Sequence, residues 1–198
     1  MTRSPGAPRM STEHGKNSVL RALGLISREL PAAGVESLLV GGMAVNHYGY
    51  TRSTLDVDLM IAADELGKVR DIMLLGGFTN FSIQPVVAFF NEPGTALRVD
   101  FLQVDAMTMQ KLMAGARLIR IYDLPLMVPS LADLIAMKLF AAHHGAAARG
   151  EKDLADVAYL AILNHLDPER DILPLCRKYA SDCVYSALCL RIEQLNQG

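Results

Sequence analysis

The segment "LVGGMAVNHYGYTRSTLDVDLMI", residues 39–61, sets two glycines near one end and two aspartates, one residue apart, near the other. Asp56 and Asp58 stand among Leu55, Val57, Leu59 and Ile61, and this period-two alternation predicts a strand. On a strand, residues i and i+2 point to one side, roughly 7 Å apart. Asp56 and Asp58 therefore share a face, while Leu55, Val57 and Leu59 turn towards a core. Two carboxylates that close repel each other, so the crowding is unfavourable unless a cation sits between them. Magnesium is such a cation, and carboxylate oxygens are its preferred protein ligands.

A D-x-D pair alone is weak, because at ordinary aspartate usage one arises by chance in roughly half of chains this long. Two features strengthen it. Asp100 lies mid-strand in "LRVDFL", between Val99 and Phe101, and is equally out of place without a partner. If its strand lies beside the first, Asp100 completes a three-carboxylate metal site with Asp56 and Asp58. The pair Gly41-Gly42 lies between a short buried strand, "VESLLVGG", and a helical turn, "MAVNHYGY". Backbone N–H groups there can approach a phosphate, and the helix dipole favours its charge. Three carboxylates can hold two magnesium ions, roughly 4 Å apart, that clamp the entering and leaving oxygens of an in-line displacement. With the β- and γ-phosphates on the glycine turn, the carboxylates sit nearer the α-phosphate. That arrangement transfers a nucleotidyl group from an NTP and releases pyrophosphate.

The rest of the chain reads as an α+β protein with a mixed sheet flanked by helices and a helical C-terminal half. "NSVLRALGLISREL" carries Val19, Leu20, Leu23, Ile26 and Leu30 at helical spacing, stopped by Pro31. "DELGKVRDIMLLGG" is helical and ends on a glycine pair. "SIQPVVAFF" and "LRVDFLQV" read as two strands joined by "NEPGTA", and "RLIRIYD" as one more. After Pro129 helices take over. In "SLADLIAMKLFAAHHG", Ser130 and Asp133 form a capping-box pattern with Asp in place of Glu. "EKDLADVAYLAILNHL" is a second helix, and one or two more follow. Residues 1–16 read as a polar, disordered tail without an apolar signal region, with Met1 or Met10 as the start. Residues 17–128 form the core and 129–198 the helical region packed on it.

These segments resemble the DNA polymerase beta-like nucleotidyltransferase superfamily, nearest to its AbiEii-type toxin and related small prokaryotic branch. The resemblance runs from about Val35 to Leu163. It rests on "GGMAV", "HYGYTRSTLDVDLMI", "LRVDFL", "LIAMKL" and "RGEKDLADVAYL", the D-x-D standing fourteen residues after the glycine pair. It implies that Gly41 and Gly42 match the glycine motif and that Asp56 and Asp58 match the metal-binding pair. Lys138 then matches a lysine contacting the triphosphate, and Asp153 an acidic residue that orients the catalytic core. The implied acceptor is a hydroxyl on RNA, such as a tRNA 3′ end, on a protein, or on a small molecule. In the toxin branch, a cognate antitoxin is a further partner.

Other residues carry two readings each. Arg52 counters phosphate charge at the site rim or is a solvated loop arginine. Ser53 and Thr54 hydrogen-bond a phosphate or are strand-edge hydroxyls. Lys138 lies on an apolar helical stripe, so it needs a partner: Asp153 or Asp156 of the next helix, or a triphosphate. His47 is a ligand or acid–base group, or a packing histidine. His143 and His144 belong to a metal site, for which no further ligands are evident, or form a helix C-terminal pair favoured by the dipole.

The chain of 198 residues is 51% apolar and 20% charged, enough for a substantial core. Its net charge, 19 − 21 = −2, gives no broad basic footprint for nucleic acid. No apolar run reaches the roughly 18 residues of a membrane span. Cys176, Cys183 and Cys189 match no zinc spacing and read as small buried hydrophobes in a reduced cytoplasm. Neither G-x-G-x-x-G after a strand nor G-x-x-x-x-G-K-[ST] occurs, which speaks against an oxidoreductase or a P-loop kinase. The alternative to an enzyme is a nucleotidyltransferase-fold binding module, catalytically weak, in a toxin–antitoxin or regulatory complex. Three retained acids argue for the enzyme.

Overall fold

The computed structural model describes residues 10–54, 56–145 and 147–197, the side chains of 10–14 and 147–149 excepted. The fold is α+β, and the chain divides into two compact units. The first comprises residues up to Leu39, Thr54–Lys111 and Leu118–Met127; the second comprises Val40–Ser53, Leu112–Arg117 and Val128–Gly198. The glycine pair and the loop after it thus cluster with the C-terminal helices.

The first unit is built on a five-stranded sheet. Its strands are β1 (Ser37–Leu39), β2 (Val57–Ala62), β3 (Thr79–Gln84), β4 (Val87–Asn91) and β5 (Arg98–Val104). Their order is β1-β2-β5-β4-β3. β2 and β5 run parallel, and every other pairing is antiparallel. Apolar residues pair in register on one face: Val57 with Val99 and Leu59 with Phe101, all fully buried. Phe90 packs edge-on against Phe101, their centroids 5.9 Å apart. Each such side chain removed from water stabilises the unit by about 1.5–3 kcal/mol.

Two helices belong with this sheet. α1 (Met10–Ala32) buries Val19, Leu23, Ile26 and Leu30 of the expected stripe, whereas Leu20, read with them, is exposed. It begins inside the stretch read as a tail and takes Pro31 into its last turn. Residues 1–9 lie outside the described residues. α3 (Leu66–Leu75) ends as its glycine pair predicts. Phe78 N–H donates to Met73 O and Gly77 N–H to Leu74 O, with Gly77 at φ +86°. That is a Schellman cap, whose left-handed position suits glycine.

Several elements depart from the sequence reading. "SIQPVVAFF" is no single strand but belongs to the β3–β4 hairpin, turning at Pro85-Val86, because proline supplies no ladder N–H. α4 (Ala106–Gly115) follows β5 and was not anticipated. β6 (Arg117–Ile121) pairs with an unanticipated β7 (Leu124–Val128) in a separate two-stranded sheet. Tyr122 and Asp123, both at positive φ, form the turn of that hairpin, as a type I′ turn requires. Pro125 disguised β7, since proline within a run argues against a strand. Leu55 lies outside the described residues.

The second unit contains α2 (Gly41–His47), α5 (Leu131–His144), α6 (Ala147–Leu163), α7 (Leu173–Tyr179) and α8 (Asp182–Gln197), with a π-turn at Pro168–Ile172. α5 starts at the expected cap: Ser130 Oγ accepts from Asp133 N–H at 3.1 Å. Cys176 is buried, and burial pushes its thiol up to about 11. Cys183 is exposed and Cys189 half-buried, so the reading of three buried cysteines holds only for the first. His47 is exposed rather than packed, its ring edge-on to Tyr48. His143 and His144 are exposed in the last turn of α5. No described helix is long and apolar enough to cross a membrane.

Candidate active site

In the first unit, the parallel register of β2 and β5 sets Asp58 directly beside Asp100. Register partners in neighbouring strands share a face, so the two carboxylates stand opposite the Val57–Val99 and Leu59–Phe101 side. Asp58 is the only residue of β2 that is not buried. Asp100 is 8% exposed. Asp56 is exposed and lies one residue before β2.

The cation that the crowded carboxylates require comes from the chain itself. Arg98, two residues before Asp100 on β5, donates from Nε to Oδ1 and from Nη2 to Oδ2, both at 2.7 Å. This is the bidentate fork that guanidinium and carboxylate favour. The hydrogen bond to Asp100 holds the Arg98 pKa above its ordinary value; burial opposes this, and the charges of Asp100, Asp56 and Asp58 reinforce it. One guanidinium thus feels all three acids. The four groups sum to +1 − 3 = −2.

These residues suit a hard divalent cation in donor chemistry: oxygen donors only, two of them in register, on a face that already draws positive charge. Among the described residues, no three His, Cys, Asp or Glu side chains stand arranged to hold a metal ion as they are. Arg98 engages both oxygens of Asp100. Asp58 and Asp100 are brought together; Asp56 joins them through its charge on Arg98.

The second unit carries a separate buried charge network. Asp156 accepts from Arg52 Nε at 2.7 Å and Nη2 at 2.9 Å, and pairs with Lys138 Nζ at 2.8 Å. Lys138 also donates to Asp153 Oδ1 at 2.7 Å. Asp153 and Asp156 lie in the inward stripe of α6 with Val157, Leu160 and Ala161. Lys138 thus pairs with both candidate aspartates, as the structural one of its two readings expects. Arg52 is likewise held by Asp156 rather than lying free in solvent. Arg149, the first residue of "RGEKDLADVAYL", has its side chain outside the described residues.

The loop before β2 is fastened at several points that sequence reasoning missed. The Asn46 amide exchanges two 3.0 Å hydrogen bonds with the backbone of Arg52. Tyr50 stacks on Tyr159 of α6 at 4.0 Å, and Asn164 donates to Tyr48 O. Ser53 is exposed. Gly41 opens α2 at φ +60°, a left-handed position that a side chain would strain, and no side chain caps that end. Arg98 was also missed; its signal was the R-x-D alternation on a strand already suspected.

Comparison with known proteins now decides the family. The profile described as "Nucleotidyl transferase AbiEii toxin, Type IV TA system" matches residues 27–184. The chain belongs to the AbiEii nucleotidyltransferase toxin family. The enzyme is accordingly a nucleotidyltransferase, and the expected superfamily and fold class both hold.

Solved structures agree on the fold of this AbiEii-family enzyme. An antigenic nucleotidyltransferase-like protein from Paracoccidioides brasiliensis is 19% identical, with a TM-score of 0.52 over 77% of this chain and 78% of its own. The antibiotic-resistance factor ANT(2'')-Ia is 13% identical, with a TM-score of 0.58 over 91% of this chain and 96% of its own. The lincosamide antibiotic adenylyltransferase LnuA is 14% identical, with a TM-score of 0.51 over 76% and 97%. Curated protein sequences give no match.

Proposed function

We propose that this enzyme moves an NMP from an NTP to a hydroxyl acceptor in a reaction that depends on divalent metal. The register of Asp58 beside Asp100, with Arg98 forked on Asp100, carries the reading. Asp56, Asp58 and Asp100 would hold magnesium, which when bound screens the phosphate oxygens and polarises the reacting centre. Asp100 also accepts the proton of the attacking hydroxyl. The acceptor oxygen bonds to the α-phosphorus, the bond from that phosphorus to the bridging oxygen breaks, and pyrophosphate leaves. Gly41 and Gly42 hold the triphosphate through backbone N–H groups, and Ser53 adds a hydroxyl contact. Lys138 and Arg52, paired with Asp153 and Asp156, contribute by holding the loop before β2 and the start of α6 in place.

The acceptor is RNA, a protein or a small molecule. The family description, a toxin of a toxin–antitoxin system, supports a cognate antitoxin as partner. A related structure, ANT(2")-Ia in complex with adenylyl-2"-tobramycin, shows the fold with a small adenylylated product. Incubation with α-labelled or γ-labelled NTPs, magnesium and either total RNA or cell lysate separates these. Label is expected to pass to one acceptor class from the α-position only, and to vanish with chelator. Transfer from the γ-position contradicts a nucleotidyl transfer.

A further inference from the structure

We propose that Arg98 is a positioning residue for the catalytic face: a resident counter-ion that holds Asp100 in place and must release it before a divalent cation can use that carboxylate. The proposal rests on the metal-dependent reading above and concerns how the same site is controlled. Three observations within the first unit carry it.

First, the strand alternation puts Arg98 and Asp100 on one face, and the bidentate contact engages both carboxylate oxygens. A divalent cation needs at least one of those oxygens, so the two cations compete for the same lone pairs. Second, the partners differ in burial. The Asp100 side chain is 11% exposed and the Arg98 side chain 46%. A buried carboxylate without a cation is costly, whereas a half-exposed guanidinium can turn into water at little cost. Arg98 also lies over the Phe89 ring, 5.5 Å from its centroid, and that cation–π contact offers it a second seat. Exchange of partners therefore leaves neither group stranded.

Third, the charges favour one dication and resist two. Asp56, Asp58 and Asp100 set three negative charges around the single positive charge of Arg98, which favours a first divalent ion. A second is favoured less until an incoming triphosphate adds negative charge. The chain alone is therefore expected to bind metal weakly, and full loading comes with nucleotide.

The test is titration of the full chain with Mn2+, without nucleotide, followed by electron paramagnetic resonance of the free ion. Arg98→Gln removes the competitor, and affinity is expected to rise about tenfold, the size of a one-unit shift from a lost charge pair. Arg98→Lys, which keeps the charge but loses the fork, falls between R98Q and wild type. In metal-free buffer R98Q melts below wild type, and saturating Mn2+ raises its melting temperature by more. A purely structural ion pair predicts no gain in metal affinity, so an R98Q affinity equal to or below wild type overturns the proposal. Should R98Q not fold, R98K decides by the same criterion. Asp58→Asn separates the two levels. Mn2+ binding by wild type that D58N abolishes, but R98Q leaves unchanged, removes the role of Arg98 and keeps the site. Absence of Mn2+ binding in every variant, with or without NTP, removes both.

Discussion

Asp58→Asn lowers nucleotidyl transfer by about 10³-fold or more at saturating NTP and metal. Asp58 is the half-buried member of an otherwise buried strand, set in register against Asp100. In the proposed mechanism the amide keeps the shape but removes the negative charge that would draw a dication, and electrostatic preorganisation of this kind is the largest single contribution to such catalysis. The loss falls mainly on kcat, because it affects the charge that develops at the α-phosphorus rather than the base or ribose of the NTP. Steady-state assays with α-labelled NTP, alongside circular dichroism of the variant, separate lost chemistry from lost fold. Activity within a few-fold of wild type contradicts the role given to Asp58.

The second large effect is on stability and lies in the other unit. Asp156→Ala is expected to destabilise the protein by about 3–5 kcal/mol, the cost of breaking a buried charge pair from one side. The Asp156 side chain is 1% exposed and is the shared acceptor of Arg52 and Lys138. Its loss leaves Arg52 without its carboxylate fork, while Lys138 keeps Asp153. A urea unfolding midpoint of D156A well below that of wild type is the checkable outcome. A joint Arg52→Leu/Asp156→Leu replacement recovers much of the loss, since apolar substitution of both partners removes the stranded charge. A D156A midpoint close to that of wild type would argue that Asp156 is not the shared centre of the network.

The two predictions separate chemistry from scaffold, and the sequence was unequally informative about them. The acidic strand was visible because its period-two alternation and its two out-of-place carboxylates are local features. That β2 lies beside β5 was only a condition of the argument. Asp58 and Asp100 lie 42 positions apart in the chain, and no local spacing determines which strands pair. Arg98 escaped notice because an arginine at a strand's start resembles any solvated end residue. Its role appears only when its fork is seen on Asp100. The pairing of Arg52 with Asp156 spans 104 residues and left no periodic trace. Lys138 was legible in part: a lysine on an apolar stripe demands a partner, and both candidate aspartates proved to be partners.

Proline produced the clearest misreadings of the fold. Pro85 marked a turn inside what looked like one strand, and Pro125 hid a real strand in a small two-stranded sheet where its missing N–H is tolerated. The glycine pair at Gly76-Gly77 was read correctly, because a Schellman cap has a local cause that composition exposes. Gly41 and Gly42 were legible as a turn before a helix. Their assignment to the helical unit followed from contacts that the sequence does not display.

The most direct test of the central claim is a crystal structure of the enzyme with Mn2+ and a non-hydrolysable NTP analogue, using anomalous scattering to place the metal. The account predicts an ion about 2.1 Å from carboxylate oxygens of both Asp58 and Asp100, bridging to the α-phosphate, with Arg98 withdrawn from Asp100. Nucleotide bound with no metal at these two carboxylates, and the Arg98–Asp100 fork intact, would contradict it.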